Sequence, residues 1–282
     1  MVELALPFLE ANNFDITVSE TQFKGHATEL ANQLPFNDYA GIIVAGGDGT
    51  LHEVINGMLA RQDGQTLPLG LIPGGSGNSL AVDLGLTDPT VAAQTLTLSH
   101  RRKMDVAKLN LGGSVKYTFN IVGWGLPTDI GIQAEKWRWL GPSRYTIVSL
   151  LKVLKGTQPR HAKLTLDETV IAGNFTMIIA CNTRHSSDMN IAPKAELDDG
   201  MIDVIVVRHG ASRLQLLTLL RQIYDGSHIQ SPLVEYYTAT HMSLDSPGHE
   251  TLNIDGELTG QTPFALQVQP AAIEMFCKPD SV

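Results

Sequence analysis

The sequence predicts an α/β unit followed by a β-rich unit, and two observations support this division. Through about residue 100, short apolar strands alternate with helices, which is typical of a parallel sheet covered on both faces. After His100, short runs rich in β-branched and aromatic residues are separated by Gly, Pro, Asn and Asp, which favours an antiparallel sheet or sandwich. The basic triplet at 101–103 is the expected boundary, so the units span 1–102 and 103–282.

The first unit follows a strand–turn–helix plan that occurs twice. Two of its strands are short and wholly apolar, and each runs into a glycine turn that opens a helix, an order that predicts right-handed crossovers. The predicted elements are a helix over 1–10, a strand over 14–20, a helix over 26–34, a strand over 41–45, a helix over 51–59, a strand over 69–72 and a helix over 78–84.

The second unit is predicted to be mainly strands, interrupted by two helices. The helices are expected near 143–155 and over 214–226, where apolar residues recur at helical spacing. The predicted strands are 104–111, 115–125, 162–168, 169–182, 201–207, 236–244, 250–256 and 264–270.

The composition excludes several classes of protein. Of the 282 residues, 43% are hydrophobic and 17% are charged, which predicts a globular chain rather than a disordered one. The net charge of −9 is a poor match for the phosphates of nucleic acid, so we expect no nucleic-acid partner. Only two cysteines are present, and the N-terminal residues lack the pattern of a signal peptide, which predicts a cytoplasmic protein.

The first glycine turn contains Gly46, Gly47, Asp48, Gly49 and Thr50 and opens a helix. Successive glycines allow backbone N–H groups to point into one concavity, and the helix N-terminus adds partial positive charge. We therefore expect a phosphate site. Because a carboxylate repels phosphate, Asp48 is expected to accept a proton from an attacking hydroxyl or to help hold Mg²⁺, and a structural turn in which Asp48 is the N-cap is the alternative.

The second glycine turn, at 73–78, repeats this arrangement and contains Gly74, Gly75, Ser76, Gly77 and Asn78. Ligands of open α/β sheets bind at the carboxyl ends of strands, where both turns are expected to lie. Two such turns at successive strand ends are therefore more readily explained as a phosphate site than as two structural turns.

A third turn, NIDGE at 253–257, lies late in the β-rich unit. It places Asp255 and Glu257 on either side of Gly256, and two carboxylates at this spacing fit the coordination of Mg²⁺ or of a hydroxyl. An ordinary hairpin turn is the alternative.

Positive charge is concentrated between residues 136 and 163, where no acidic residue occurs. Arg138 and Arg144 are candidates to bind phosphate, whereas Trp137, Trp139 and the lysines are candidates to rest on an anionic membrane surface. A solvated basic helix is the alternative. The basic residues are Lys136, Arg138, Arg144, Lys152, Lys155, Arg160 and Lys163.

Six segments recur in the order found in one known family and together extend over nearly the whole chain. They are GGDGTLHEVINGML (46–59), IPGGSGNSLA (72–81), RRKMDVAKL (101–109), GWGLPTDIGIQAEKWRWLGPSRYT (123–146), DDGMIDV (198–204) and NIDGE (253–257). On these residues the sequence resembles lipid kinases with a diacylglycerol kinase catalytic domain, especially the sphingosine kinase-like branch. GGDGT alone is also similar to NAD kinases and phosphofructokinases, whereas the IPGGSGN segment and the stretch from GWG to EKWRWLG and Arg144 make the match to lipid kinases specific.

The resemblance implies a three-layer α/β nucleotide-binding domain followed by a β-sandwich-like domain that receives a lipid. It also implies ATP-dependent, magnesium-assisted phosphorylation of a lipid hydroxyl, with Asp48 as the base. Asp199 resembles part of a loop that holds a structural Mg²⁺ in some bacterial members, and Asp129 and Trp124 lie where the substrate is expected. The positions that match the nucleotide site are Thr21, Glu53, Gly75, Ser76, Gly77, Arg138, Arg144, Asp255, Gly256 and Glu257.

Three departures from the family pattern bear on the substrate and on the start of the chain. The family's opening strand, with its Asn-Pro…Ser-Gly loop, is absent from this sequence, so the start is expected to be truncated or misassigned, or the strand is missing. Gly131 stands where sphingosine kinases carry an aspartate that reads the head group, and Ile121 stands where a serine is expected. A diacylglycerol-like lipid is therefore at least as good a candidate as a sphingoid lipid.

The functional expectation is transfer of a phosphoryl group from Mg·ATP to a lipid hydroxyl at a membrane surface. Peripheral membrane contact is expected, and the resemblance also leaves a homodimer open. Two alternatives stay open at this point: an NAD kinase-like enzyme with a soluble acceptor, and a nucleotide- or lipid-binding module with impaired catalysis.

Overall fold

The computed structural model describes residues 2–279, excluding the side chains of residues 2–4, 138 and 142. The helices are α1 (Val2–Ala11), α2 (His26–Gln33), α3 (Asp48–Leu59), α4 (Ser79–Asp83), α5 (Pro89–Thr97), α6 (Leu126–Lys136), α7 (Arg144–Lys155) and α8 (Arg213–Gln222). The strands are β1 (Ile42–Gly46), β2 (Leu69–Pro73), β3 (Arg101–Leu111), β4 (Ser114–Thr118), β5 (Ile121–Gly125), β6 (Arg160–Leu166), β7 (Thr169–Cys181), β8 (His185–Ser186), β9 (Met189–Asn190), β10 (Ile202–Arg208), β11 (Val234–Ala239), β12 (His241–Asp245), β13 (Thr251–Ile254), β14 (Glu257–Gln261) and β15 (Phe264–Phe276).

The sheet changes from parallel to antiparallel along its length. β1 and β2 are parallel to each other. The C-terminal end of β15 pairs in parallel with β2, and the rest of β15 pairs with antiparallel strands, so β15 joins the two parts of the sheet. The order then continues through β12, β6, β7, β5, β13 and β14, while β3 and β4 extend from β15 and β10 and β11 extend from β7. The predicted fold class, an α/β nucleotide-binding domain followed by a β-sandwich-like domain, is confirmed.

Two large apolar clusters account for most of the core. The first packs α1, α2, α3 and α5 against β1 and β2, and includes Leu51, Ile55 and Leu69, all fully buried. The second fills the β-rich part and includes Trp124 and Phe175. Within residues 2–279 no helix has the length and apolar character needed to cross a bilayer.

The predicted strand over 14–20 is wrong, since this segment is irregular and largely exposed. Ile16 and Val18 alternate as in a strand, but no neighbouring strand pairs with them, and β-propensity without a partner leaves backbone groups to water. Two predicted strands are each divided by a turn: 115–125 becomes β4 and β5, and 236–244 falls in β11 and β12. Helices α5 and α6 were not predicted.

Candidate active site

The two glycine turns lie at the same edge of the sheet and touch each other. β1 and β2 are parallel, with Gly46 opposite Pro73, and the N–H of Gly74 donates to the Gly46 carbonyl at 2.9 Å. A Cβ atom on Gly47 would lie 2.8 Å from the Cα of Gly75, and one on Gly75 would lie 2.6 Å from the Cα of Gly47. Only residues without a side chain permit this approach, so the glycines are needed for the contact itself.

Asp48 is the first residue of α3, and its side chain reaches the residue that begins α4. Its Oδ2 accepts hydrogen bonds from the N–H and the hydroxyl of Ser79 at 3.0 and 3.1 Å. Burial raises the pKa of Asp48, and the charge of Asp255 acts in the same direction, while the bonds from Ser79 oppose the rise. The cap of α3 is Gly47, whose carbonyl accepts from the N–H of Thr50 at 3.1 Å, so Asp48 is not the N-cap.

Backbone N–H groups around the turns are available to an anion. Within the part of the chain that the structure describes, the N–H groups of Gly49, Ser76 and Gly77 donate to no protein acceptor. Asn78 fixes the second turn, because its Oδ1 accepts from the N–H of Gly75 at 2.9 Å and its Nδ2 donates to the Gly75 carbonyl at 2.8 Å. Unpaired N–H groups beside the N-terminus of α3 form a suitable environment for phosphate oxygens.

Glu53 holds the loop that precedes α2. Its Oε1 accepts from the N–H of Gly25 at 2.8 Å, and its Oε2 accepts from the N–H of Ala27 at 3.2 Å. Thr21 lies exposed in the same loop. The structure therefore joins this loop to α3, the helix that Asp48 begins, and Glu53 is occupied by backbone partners rather than open to a ligand.

The turn at 253–257 reaches this loop from the β-rich part of the chain. Glu257 forms an ion pair with Lys24 at 2.8 Å, between its Oε1 and the lysine Nζ. Gly256 has a positive φ of 87°, and its N–H donates to Asn253 Oδ1 at 2.9 Å. The fold thus brings the predicted turn at 253–257 next to the loop before α2 that contains Thr21.

Asp255 is fully buried and is committed to partners within the protein. Its side chain has no exposed area, and Nδ1 of His52 donates to its Oδ2 at 2.8 Å. Burial lowers the pKa of His52, but the hydrogen bond and charge of Asp255 outweigh this effect and raise it overall. The other donors to the carboxylate are the Thr118 hydroxyl and the N–H groups of Phe119, Asn120 and Ile121. The geometry therefore argues against Asp255 as a magnesium ligand and assigns it to holding the turn between β4 and β5.

The loop that contains Asp199 is likewise held by protein partners. Asp198 forms two bonds with the guanidinium of Arg102, at 2.9 and 2.7 Å, and Oδ1 of Asp199 accepts from the N–H of Met201 at 2.9 Å. Within residues 2–279 no three His, Cys, Asp or Glu side chains are grouped to hold a metal ion. The magnesium roles expected for Asp199 from the family resemblance, and for Asp255 and Glu257 from the spacing of their turn, stay predictions.

The polar contacts of Arg144 within the described residues lie between residues 135 and 145. Its Nη1 donates to the Gly141 carbonyl at 3.4 Å, its guanidinium lies 4.7 Å from the centre of the Tyr145 ring, and its Nη2 is 3.9 Å from Glu135 Oε1. None of these contacts joins Arg144 to the glycine turns. The side chain of Arg138 lies outside the described residues.

A cavity of about 290 Å³ opens between α6, α7 and the β-rich sheet. Asp129 lines it and is paired with Arg160 at 2.8 Å. Trp124 does not line it, because this side chain is 1% exposed and belongs to the apolar core, which differs from the substrate contact expected for it. The lining residues are Leu126, Asp129, Gln133, Trp137, Val148, Leu151, Lys152, Lys155, Gly156, Thr157, Gln158, Arg160 and Thr176.

Sequence reasoning missed several residues that organise the site. Ser79 links Asp48 to the hairpin of β8 and β9, because its hydroxyl also accepts from the N–H of Ser187 at 2.9 Å. His52 lies one helical turn after Asp48, a spacing that places both residues on one face of α3 and gave a usable signal. No sequence signal pointed to Ser187 or to Arg160 as partners, because each contact joins distant parts of the chain.

Two family models match the chain in sequence order. The diacylglycerol kinase catalytic domain matches residues 1–109, and the YegS C-terminal NAD kinase beta sandwich-like domain matches residues 120–277, more than half of the chain. The chain belongs to the diacylglycerol kinase-domain family of lipid kinases. The order of the two matched domains is the order in which the glycine turns and the cavity occur.

Relatives of this chain include proteins named sphingosine kinase and proteins named diacylglycerol kinase. Sphingosine kinase 1 of Arabidopsis thaliana is 30% identical over 89% of this chain and 63% of its own length. Diacylglycerol kinase of Staphylococcus carnosus is 28% identical over 99% of this chain and 90% of its own length. The chain thus spans less than two thirds of the two plant sphingosine kinases that it matches.

Two solved structures, of a diacylglycerol kinase and of an NAD kinase, share the fold of this chain. A diacylglycerol kinase from Bacillus anthracis superposes with a TM-score of 0.79 at 23% identity, covering 100% of this chain and 92% of that one. An NAD kinase from Archaeoglobus fulgidus in complex with ATP gives a TM-score of 0.51 at 11% identity, covering 99% and 89%. At these identities the likeness concerns the fold alone.

Proposed function

We propose that this protein is an ATP-dependent lipid kinase that phosphorylates a hydroxyl group of a diacylglycerol-like or sphingoid lipid. The observation that supports it most is the carboxylate of Asp48, whose pKa is raised by burial and which lies between two glycine turns in contact. The relatives named sphingosine kinase and diacylglycerol kinase support the same class of reaction.

The glycine turns would bind the phosphates of the nucleotide. The unpaired N–H groups of Gly49, Ser76 and Gly77 suit phosphate oxygens, and the absence of side chains at Gly47 and Gly75 keeps the turns close. ATP would supply the phosphoryl group. The loop that contains Thr21 is fixed by Glu53 to the same helix, which supports a nucleotide role for Thr21 as well.

The described residues do not form a dedicated magnesium site. Mg²⁺ in kinases is usually held by one or two carboxylates together with substrate phosphates and water. Asp48 is the carboxylate of this chain that lies beside the turns, whereas Asp255 has both oxygens occupied within the protein. We therefore assign no separate metal ligands.

Asp48 would act as the general base. It would accept the proton of the lipid hydroxyl as the hydroxyl oxygen forms its bond to phosphorus, and the nucleotide diphosphate would leave. Ser79 orients the carboxylate through two hydrogen bonds, both made to Oδ2 of Asp48. A base with a raised pKa holds this proton more favourably than an ordinary exposed aspartate would.

The lipid would enter through the cavity between α6 and α7. The outer face of α7 is apolar, with Ile147, Leu150 and Leu154 between 38% and 45% exposed, and it carries Lys152 and Lys155. Apolar side chains next to lysines favour an anionic membrane surface, where the lipid acceptor is found. This arrangement supports peripheral contact of α7 with the membrane.

The substitution Asp48→Asn tests the proposed reaction. We expect nucleotide binding to persist and turnover with lipid to fall by about 10²–10⁴-fold, because removing a general base typically has this effect. Labelled ATP would be offered with vesicles containing diacylglycerol or sphingosine, and with NAD as a soluble acceptor. The exposed Asp63→Asn is the matched control and is expected to keep wild-type turnover.

Three outcomes would contradict the proposal. Unchanged turnover in Asp48→Asn would exclude Asp48 as the general base. Phosphorylation of NAD alone would favour an NAD kinase-like enzyme. Nucleotide binding without any product in the wild type would indicate a binding module.

A further inference from the structure

The cavity between α6 and α7 contains a carboxylate that is already paired with an arginine. Asp129 is the only Asp or Glu among the lining residues of the described chain. Its Oδ1 accepts from Nη2 of Arg160 at 2.8 Å, and Nε of the same guanidinium lies 3.0 Å from Oε2 of Glu250. One arginine therefore links two carboxylates that come from separate parts of the chain.

The remaining charged side chains of the lining are cations. Lys152 and Lys155 come from the last turns of α7 and form no ion pair within the described residues. With Arg160 they outnumber the single carboxylate, although the whole chain is acidic. A protonated amine entering this cavity would meet three cations and one carboxylate that already has an arginine partner, whereas an uncharged hydroxyl would not be repelled by the cations.

We propose that Arg160 is a specificity-determining residue, which occupies the cavity carboxylate and so selects lipids with an uncharged head group over lipids that carry a protonated amine. This inference rests on the proposed function, since it names the substrate class of the same enzyme. The preferred acceptor is an alcohol of the diacylglycerol type.

The geometry explains why an arginine serves this purpose. Arg160 is the first residue of β6, and its planar guanidinium presents Nη2 to Asp129 and Nε to Glu250 at the same time. The two contacts fix the orientation of the guanidinium. Lysine offers a single ammonium group and would not bridge both carboxylates in this way. With Arg160 removed, Asp129 becomes an unpaired carboxylate that can attract an amine.

The test compares three lipids in one micelle composition: dioleoylglycerol, sphingosine and N-acetylsphingosine. The last two carry the same hydroxyl groups, and acetylation removes the charge of the amine. Equilibrium binding is measured with fluorescent forms of the lipids, and kcat/KM is measured separately with ATP. We expect the wild type to favour dioleoylglycerol and N-acetylsphingosine over sphingosine by at least tenfold in both measurements.

The variant Arg160→Met keeps the apolar stem and frees Asp129. We expect this variant to raise binding and kcat/KM for sphingosine relative to dioleoylglycerol at least tenfold. We expect the double change Arg160→Met with Asp129→Asn to abolish that gain. Arg208→Met is the matched control, because Arg208 pairs with Glu235 outside the cavity, and it is expected to keep the wild-type preference.

The outcomes separate this inference from the proposed function. Discrimination in binding without turnover on any lipid would refute the kinase while supporting the role of Arg160. The role of Arg160 would be refuted if the wild type turned over lipids but preferred sphingosine. It would also be refuted if folded Arg160→Met kept the wild-type ratio of sphingosine to dioleoylglycerol in kcat/KM. If that variant does not fold, Arg160→Gln and the wild-type comparison of sphingosine with N-acetylsphingosine give the same decision.

Discussion

The substitution Gly47→Ala tests whether contact between the two glycine turns determines the geometry of the site. A Cβ there would lie 2.8 Å from the Cα of Gly75, whereas carbon atoms prefer a separation of about 3.5–4.0 Å. The turns must therefore move apart by about 1 Å. The backbone itself accepts alanine, since φ at Gly47 is −99°, so the effect is steric.

Two magnitudes follow from that displacement. Overpacking typically costs about 1–3 kcal/mol, and at about 2–4 °C for each kcal/mol the Tm would fall by about 2–12 °C. A shift of about 1 Å in the reacting groups costs about 100-fold in rate. We therefore expect Gly47→Ala to lose far more activity than its remaining folded fraction would explain.

Calorimetry and lipid phosphorylation measure the two effects on the same samples. Gly49→Ala is the control for stability, because no atom lies within 4 Å of the added Cβ and the residue is inside α3. Replacing a helical glycine by alanine stabilises by about 0.5–1 kcal/mol, so its Tm is expected to equal or exceed the wild-type value. Wild-type Tm and turnover in Gly47→Ala would refute the contact.

Two further predictions concern the surface and the core. The double change Lys152→Glu with Lys155→Glu is expected to weaken binding to anionic vesicles at low salt by at least about 30-fold, at about 1 kcal/mol for each lysine. Sedimentation of the protein with the vesicles measures this loss. The control is Lys103→Glu with Lys108→Glu, and an equal loss of binding there would contradict a role specific to α7. Burial raises the pKa of Asp203 to about 6. Because the native state then binds the proton more tightly than the unfolded chain, this group lowers stability as the pH rises from about 4 to about 6, by about 3 kcal/mol. Asp203→Asn is therefore expected to stabilise more at pH 7.5 than at pH 4.5 in urea unfolding, and the opposite order would contradict this.

The parts of the site that sequence could predict are those encoded by consecutive residues. Both glycine turns follow apolar strands, and parallel neighbours bring their carboxyl ends to one edge, so Gly46 and Pro73 meet as the pattern indicates. Asp48 was identifiable because a carboxylate is unexpected in a turn whose glycines predict a phosphate site. The strands of the β-rich part were recognisable for the same local reason, their β-branched and aromatic residues.

The parts that sequence could not predict depend on contacts between distant residues. Asp255 has the spacing of a metal ligand, but five donors from α3 and from residues 118–121 surround it in the fold. Arg160 belonged to a basic run, and only the structure shows that it joins α6 to Glu250, just before β13. Side-chain type limits the chemistry available, and burial and partners then decide which role is taken.

The buried carboxylate of Asp255 also connects the two halves of the molecule. It binds His52 on α3, the helix that Asp48 begins, and it fixes residues 118–121, after which β5 leads directly into α6. A metal ligand at the surface would leave these elements independent. Since α6 carries Asp129 in the cavity, one buried carboxylate relates the position of Asp48, the proposed base, to the wall of the cavity proposed for the lipid. Breaking such a buried pair typically costs about 3–5 kcal/mol, so this relation is set by the fold rather than by the ligands that bind to it.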